Sequence, residues 1–132
     1  MTSDQEQVLQ AAAHLIERFA AHDFAGYFAC FAPEASFIFH NEPAFMPSRA
    51  AYEAVWQRWE REDGFRVLAC RSFDQRVNVI GNVGIFTHQL ETRLAFESVE
   101  LESSERETII FHRQPDGAWL AVHEHLSLYN SK

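Results

Sequence analysis

The hydrophobic pattern of the chain changes its period once, near Gly64. Ahead of that point, apolar residues recur three and four positions apart, which predicts an amphipathic helix beginning near Val8. The apolar face of this first helix consists of Leu9, Ala12, Leu15, Ile16 and Phe19. Asp4 and Gln7, three residues apart, form an acceptable capping pair at its start.

Two more helices are predicted before the period changes. Asp23 is a suitable N-cap for a short second helix, which Pro33 ends. Ser48 caps a third helix that runs to about Glu62 and places aromatic residues on one side. Between the second and third helices, residues 36–40 alternate in character, with Phe37 and Phe39 on one face, and this pattern predicts a short strand. An irregular segment that contains two prolines follows it.

After the third helix the period is two, which indicates strands as far as the end of the chain. The predicted strands are Phe65–Val79, Val83–Phe96, Val99–Arg113 and Trp119 to about Tyr129. The first of them is expected to bend near Arg71, where polar residues interrupt its apolar face. Turn signals at Gly81-Asn82 and at Pro115-Asp116-Gly117 separate neighbouring strands.

Helices gathered ahead of a strand meander predict an α+β fold. We expect a curved antiparallel sheet with the three N-terminal helices packed on its concave face, forming an open cone. At 132 residues, the chain 1–132 fits a single domain. Twelve Phe, three Trp and three Tyr are hard to pack into a small solid core without gaps. These aromatic residues either line a cavity or form an ordinary core of large side chains.

Charge and cysteine usage exclude several classes of protein. Eleven basic and nineteen acidic residues give a net charge of −8, which argues against nucleic acid or an anionic membrane as a partner. Cys30 and Cys70 stand alone, so neither a disulfide framework nor a metal site is expected. No apolar run approaches the ~18 residues of a membrane span, and no signal peptide is recognisable. The expected location is therefore cytoplasmic.

Two stretches carry a resemblance to a known superfamily: residues 21–36 and, more specifically, residues 104–127. The second contains Glu107-Thr108, Phe111-His112-Arg113, Asp116-Gly117-x-Trp119 and Val122-His123-x-His125-x-Ser127. With the order of elements, these residues resemble the nuclear transport factor 2-like superfamily, in its SnoaL-like and ketosteroid-isomerase-homologue branch. The second stretch is similar to the association domain of calcium/calmodulin-dependent protein kinase II. The resemblance implies a cystatin-like cone and a homodimer.

The resemblance does not extend to the catalytic residues of the related proteins. Ketosteroid isomerases use an Asp base with a Tyr and a protonated Asp as hydrogen-bond donors. The corresponding positions here fall on Phe39, Leu15 and Ile109, so steroid isomerisation by that mechanism is not expected. Two cavity arginines of the association domain fall on Glu91 and Ile109, which argues against an identical carboxylate-binding pocket.

The last strand carries the strongest cluster of polar side chains. Trp119, Ala121, His123, His125 and Ser127 alternate and are expected to share one face. His123 and His125 are the candidate catalytic residues, because two imidazoles on a cavity wall can move a proton near neutral pH. Hydrogen bonds that tie the strand to its neighbours are the alternative reading. A third interpretation is that the two histidines bind a metal ion, although the sequence places no further ligand beside them.

Other candidates complete the predicted pocket. Arg106 either holds a ligand carboxylate or is neutralised by the surrounding glutamates. Most of the glutamates in Glu97–Glu107 are expected to face solvent. His88 is either a hydrogen-bonded interior histidine or a base. Tyr52 and Trp56 either form aromatic pocket walls or belong to the core. The predicted pocket residues are Tyr52, Trp56, His88, Arg106, Trp119, His123 and His125.

Two functions from different classes remain open at this point. One is a binder or enzyme for a small apolar or carboxylate-bearing molecule, working without a cofactor as an isomerase, cyclase or hydratase. The other is a non-catalytic dimerisation or accessory domain whose pocket is vestigial. Both predict a homodimer, because a sheet with apolar residues on each face is covered by helices within the subunit and by a second copy outside it.

Overall fold

The computed structural model describes residues 2–129, which form three helices and a six-stranded sheet. The helices are α1 (Asp4–Ala20), α2 (Phe24–Phe28) and α3 (Arg49–Asp63). The strands are β1 (Phe31–Phe39), β2 (Glu42–Met46), β3 (Arg66–Ile80), β4 (Val83–Phe96), β5 (Val99–Arg113) and β6 (Trp119–Leu128). No helix among these residues is both long enough and apolar enough to cross a membrane.

The strands follow the order β2-β1-β6-β5-β4-β3 across one sheet. The chain from β3 to β6 is the predicted antiparallel meander, and β4 and β5 have the predicted bounds. β6 then pairs with β1 in parallel, so the sheet is mixed and not wholly antiparallel as predicted. A parallel pair needs a long connection, and here residues 40–118 lie between the two strands. The predicted α+β architecture with helices before a curved sheet is confirmed.

Local signals set most of the helix ends. The predicted caps Asp23 and Ser48 are confirmed, since their side chains accept the backbone N–H groups of α2 and α3, and α3 ends at Gly64 with a φ of 64°. The cap of α1 differs from the prediction. Ser3 and Glu6 form a reciprocal capping box there, in place of Asp4 and Gln7.

β1 is longer than the pattern predicts, because it begins at Phe31 and passes through Pro33. Its pairing with β6 is irregular between Phe31 and Ser36, and this interruption accommodates a proline that has no N–H to donate. The segment after it, predicted to be irregular, contains the short edge strand β2. Pairing with β1 therefore makes this segment a strand, although its own sequence pattern predicts none.

β3 bends as predicted. Its pairing with β4 is irregular between Val67 and Ala69, and again between Phe73 and Arg76, on either side of Arg71. Each interruption adds residues on one strand only, which bends that strand and increases its twist. The two bulges curve the edge of the sheet around the helices.

The closed end of the cone is packed tightly. The largest fully buried side chains there are mostly aromatic, among them Trp56, Tyr27, Phe31, Phe37, Phe86 and Phe111. α1 approaches β4 closely at Gly84, where an added Cβ would lie 2.7 Å from Cγ2 and 3.1 Å from Cγ1 of Val8. Gly84 therefore allows the helix to lie directly on the sheet.

We expect Gly84→Ala to lower the free energy of unfolding by about 1–3 kcal/mol, because the new methyl group overpacks the contact with Val8. Urea denaturation measures the change. The double variant Val8→Ala/Gly84→Ala should lose less free energy of unfolding than the sum of the losses measured for the two single variants. Simple additivity would contradict a steric origin.

Candidate functional site

A β-bulge in β6 decides which of its side chains enter the cone. Ala121 pairs with Phe111 of β5, but the next pair joins His123 to Ile110, so Val122 is an extra residue on β6. An extra residue reverses the alternation of side chains beyond it, because the side-chain period of a strand is two. Odd-numbered side chains of β6 therefore face the helices ahead of the bulge, and even-numbered side chains face them beyond it.

The expectation that the last strand keeps one face throughout is wrong for this reason. Ala121 is buried ahead of the bulge, whereas Glu124 and Leu126 face the interior beyond it. His123 and His125 lie on the outer face of the sheet. His123 Nδ1 is 2.9 Å from Ser36 Oγ of β1, a contact that joins two neighbouring strands.

Arg106 also lies outside the cone. It is exposed on β5, and its guanidinium carbon stands 4.5 Å from the centre of the Tyr129 ring. Arg106 does not reach the interior because β5 directs its odd-numbered residues inward over this stretch, from Glu105 to Phe111. Among residues 2–129, no arginine or lysine lines the interior cavity described below.

Two predicted aromatic pocket residues belong to the core. Trp56 is fully buried, and its Nε1 donates to Glu60 Oε2 at 3.0 Å. Trp119 donates from Nε1 to Gln7 Oε1 at 2.9 Å, which ties β6 to α1 at the closed end. Tyr52 and His88 are the two predicted pocket residues that do line the interior cavity.

The interior cavity lies between the helices and the concave face of the sheet and encloses about 50 Å³. Its apolar wall includes Leu15, Phe19, Phe39, Trp59, Phe65 and Leu126. The polar side chains at its border include Tyr27, Tyr52, His88, Glu105, Glu107 and Glu124. An apolar cavity with a few converging polar groups is the usual form of a small-molecule site.

Three glutamates are buried at this cavity. Glu105, Glu107 and Glu124 are 4%, 9% and 2% exposed. Glu105 and Glu107 share the parity of the buried residues Ile109 and Phe111, so the expectation that this acidic stretch faces solvent is wrong for these two. The parity was a usable sequence signal for them. Nothing in the sequence pointed to Glu124, because its orientation depends on the bulge at β6.

Glu105 is held from two sides. Thr92 Oγ1 of β4 donates to Glu105 Oε1 at 2.8 Å, and His40 Nε2 lies 2.5 Å from Glu105 Oε2. His40 directly follows β1 and is partly exposed, so it stands between this carboxyl group and solvent. The contacts orient both oxygens of Glu105 at the border of the cavity.

Glu107 forms a pair with His88, directly opposite on β4. His88 Nε2 lies 2.7 Å from Glu107 Oε1, and His88 Nδ1 lies 2.6 Å from Ser72 Oγ. Burial lowers the pKa of His88 to about 4 and raises the pKa of Glu107 to about 8. At neutral pH the imidazole is therefore uncharged and the Glu107 carboxyl group is largely protonated.

Glu124 is the most deeply buried of the three carboxyl groups. Tyr27 donates its hydroxyl to Glu124 Oε1 at 3.1 Å, and the Tyr27 and Tyr52 hydroxyl oxygens are 3.0 Å apart. Burial raises the pKa of Glu124 well above its ordinary value, and the neighbouring Glu107 raises it further. A carboxyl group kept protonated in this way is a hydrogen-bond donor inside an apolar cavity.

Within residues 2–129, no three histidine, cysteine, aspartate or glutamate side chains are arranged to hold a metal ion. Proton transfer and hydrogen bonding are what the side chains at the cavity can supply. They offer an oriented carboxyl group at Glu105 and protonated carboxyl groups deeper inside.

We expect the free energy of unfolding to fall as pH rises from about 6.5 to 8. Glu107 keeps its proton up to about pH 8 in the folded state but loses it near 4.5 when unfolded, so deprotonation costs stability across that range. His88 has the opposite effect between about pH 4 and 6.5, where only the unfolded state binds its proton. The fall is therefore clearest above pH 6.5.

Urea denaturation at several pH values measures this dependence. Glu107→Gln should make the dependence less steep, while Glu91→Gln, which changes an exposed carboxyl group on β4, should leave it intact. A variant at Glu107 with the same dependence as the unaltered protein would contradict the assignment.

Several solved structures share this fold. A ketosteroid isomerase-like protein from Erwinia carotovora atroseptica is 13% identical, with a TM-score of 0.81 over 98% of this chain and 99% of that one. A proposed Ca/calmodulin-dependent kinase II association domain from Exiguobacterium sibiricum is 10% identical, with a TM-score of 0.82 over 100% and 98% of the two chains. An NTF2-like protein with a cystatin-like fold from Novosphingobium aromaticivorans is 18% identical, with a TM-score of 0.73 over 98% and 84%.

At these identities the likeness establishes the fold alone. No curated protein matches the sequence. The family of SnoaL-like domains matches residues 8–131, nearly the full length of the chain. The chain therefore belongs to the SnoaL-like domain family, within the nuclear transport factor 2-like superfamily.

Proposed function

We propose that the chain is a cofactor-independent acid–base enzyme of the isomerase or lyase type, acting on a small carbonyl compound in the interior cavity. The observation that carries this proposal is the convergence of Glu105, Glu107 and Glu124 on one apolar cavity. Three buried carboxyl groups are costly to a fold unless hydrogen bonds and protonation compensate them, and such groups concentrate at functional sites.

Glu105 is the proposed base. Its oxygens accept from Thr92 and contact His40, an arrangement that suits a carboxylate and fixes its direction. A carboxylate at the border of the cavity can remove a proton from the carbon beside a bound carbonyl group. The electron pair left by that proton moves to the carbonyl oxygen and forms an enolate.

Glu124 is the proposed donor to that oxygen. Its protonated carboxyl group, with Tyr27 and Tyr52 behind it, offers hydrogen bonds where negative charge develops. Return of the proton to a different carbon completes an isomerisation. Loss of a hydroxyl group from the neighbouring carbon, with that proton, completes a dehydration that releases water.

This arrangement differs from that of the ketosteroid isomerases. Phe39 and Leu15, where their base and one donor would fall, are apolar parts of the cavity wall, and Ile109 is buried core. The enclosed volume of about 50 Å³ holds roughly four waters at ~10–15 Å³ each. The geometry therefore supports a small substrate, or a small reacting end of a larger one.

Self-association without catalysis is the second candidate function. The likeness to a proposed association domain favours it. The outer face of β1, β5 and β6 carries Ile38, which is 40% exposed, beside His125, and the half-buried Ile110 and Val122. Such a face can pack against its equivalent on a second copy of the chain through a two-fold axis.

We expect the protein to accelerate exchange of the α-carbon hydrogens of small cyclic ketones, such as cyclopentanone, with D₂O. Proton NMR of the ketone measures the exchange. Glu105→Gln should reduce the enzymatic rate by about 10²–10⁴-fold, because the base is lost. Glu124→Gln should reduce it by about 10²–10³-fold, because the amide is a weaker donor to the enolate oxygen.

His125→Ala is the matched control for this experiment, since His125 lies on the outer face and should not affect the exchange rate. Equal rates for the unaltered protein and Glu105→Gln would overturn the enzymatic proposal.

We expect a dimer by size-exclusion chromatography with light scattering at micromolar concentration. Ile38→Lys should shift the equilibrium toward monomer, because it places a charge on the outer face. Ile80→Lys, at an exposed site on β3 at the opposite edge of the sheet, is the control and should leave the mass unchanged. A monomer throughout the concentration range would contradict self-association.

A further inference from the structure

A continuous series of polar contacts connects the buried carboxyl groups to the surface of the molecule. Glu107 Oε1 lies 2.7 Å from His88 Nε2, and His88 Nδ1 lies 2.6 Å from Ser72 Oγ. Ser72 Oγ accepts from Gln75 Nε2 at 2.9 Å. The His88 side chain is completely buried, whereas Ser72 is half-buried and Gln75 is exposed. The series thus runs from the cavity to solvent in three contacts.

The second bulge of β3 builds the outer part of this series. Phe73 pairs with Gln89 and Arg76 pairs with Thr87, so two residues of β3 face His88 alone. One of the two, Asp74, has a φ of 55°, a left-handed conformation that costs free energy for a residue other than glycine. The bulge is thus strained, and it lies directly opposite the His88 imidazole. Its other residue, Gln75, contacts Ser72 at the outer end of the series.

His88 and Glu107 also form a wall between two spaces. Both line the interior cavity, and both border an open groove on the outer face of the sheet. In the part of the chain that the structure describes, no other residue is shared by the linings of these two spaces. This pair is therefore one of the places where the interior cavity adjoins an open groove.

On the inner side, the series continues toward the tyrosines. Glu124 pairs with Ile109, which places it diagonally across from Glu107 on the same face of the sheet. Glu124 then accepts from Tyr27, which contacts Tyr52. Other titratable groups at the cavity are Glu105 and Cys70, and neither hydrogen-bonds to His88. Among residues 2–129, the hydrogen-bond partners of the His88 ring are Ser72 and Glu107.

We propose that Ser72 and His88 form a proton-transfer route between solvent and the Glu107–Glu124 pair. The proposal deepens the proposed acid–base function and rests on it, since Glu124 can donate to the enolate oxygen only while its carboxyl group is protonated. Ser72 and His88 act through Glu107 in this proposal, so they are positioning residues.

Each inward transfer conserves protons. Water gives a proton to Ser72 Oγ as the Ser72 hydroxyl proton moves to His88 Nδ1. The proton on His88 Nε2 moves at the same time to Glu107 Oε1, which turns the carboxylate into the acid. Ser72 and His88 end with as many protons as they had, the imidazole has changed tautomer, and hydroxide is left in solvent. The reverse series returns a proton outward.

The test measures proton exchange at His88 in the full-length protein, independently of activity. With ¹⁵N-labelled histidine, NMR saturation transfer gives the rate at which the ring N–H of His88 exchanges with water. Ser72→Ala removes the hydroxyl and should slow this exchange on the order of 10²-fold. Ser72→Thr keeps a hydroxyl and should preserve a rate near that of the unaltered protein. Ser127→Ala, an exposed serine on the outer face, is the matched control.

The possible outcomes separate the two proposals. Slow exchange in Ser72→Ala alone, with folding shown intact by urea denaturation, supports the route. An unchanged exchange rate in Ser72→Ala overturns the route and leaves the ketone experiment unaffected. Absence of ketone exchange in the unaltered protein overturns the enzymatic role, whatever the exchange rate at His88.

Discussion

The extra residue at Val122 is the constraint on which the interior depends. β6 has β1 on one side and β5 on the other, so its alternation affects both neighbours. Ahead of the bulge it contributes Ala121 to a dense core, and beyond it Glu124 to a cavity. With regular alternation, His123 and His125 would enter the cone instead. One bulge therefore separates a closed, packed end of the cone from an open, polar one.

Burial then determines the chemistry of the carboxyl groups. In water, three nearby glutamates would all be ionised at neutral pH. Inside the cone, desolvation and mutual repulsion favour protonation of Glu107 and Glu124, whose pKa values rise. The Tyr27 hydroxyl and the His88 imidazole each hydrogen-bond to one oxygen of these carboxyl groups. A single apolar enclosure thus contains an oriented carboxyl group at Glu105 beside proton donors.

Much of the fold was predictable from the sequence because its signals are local. Ser48 and Gly64 bound α3 by capping chemistry, and the turns after β3 and β5 follow from glycine-containing turn residues. The burial of Glu105 and Glu107 was also accessible, through their parity with the apolar end of β5. The expectation that they face solvent followed from their charge, and parity was the better guide.

Periodicity by itself determined the number of helices, the strand meander and the α+β class, because each depends on neighbours within one helix or strand. The tertiary structure decided the parallel pairing of β1 with β6, the bulge at Val122 and the inward direction of Glu124. These depend on how a strand fits between two neighbours that are distant in sequence. A strand pattern specifies two faces, but only the partners of the strand determine which face is covered and where the alternation reverses.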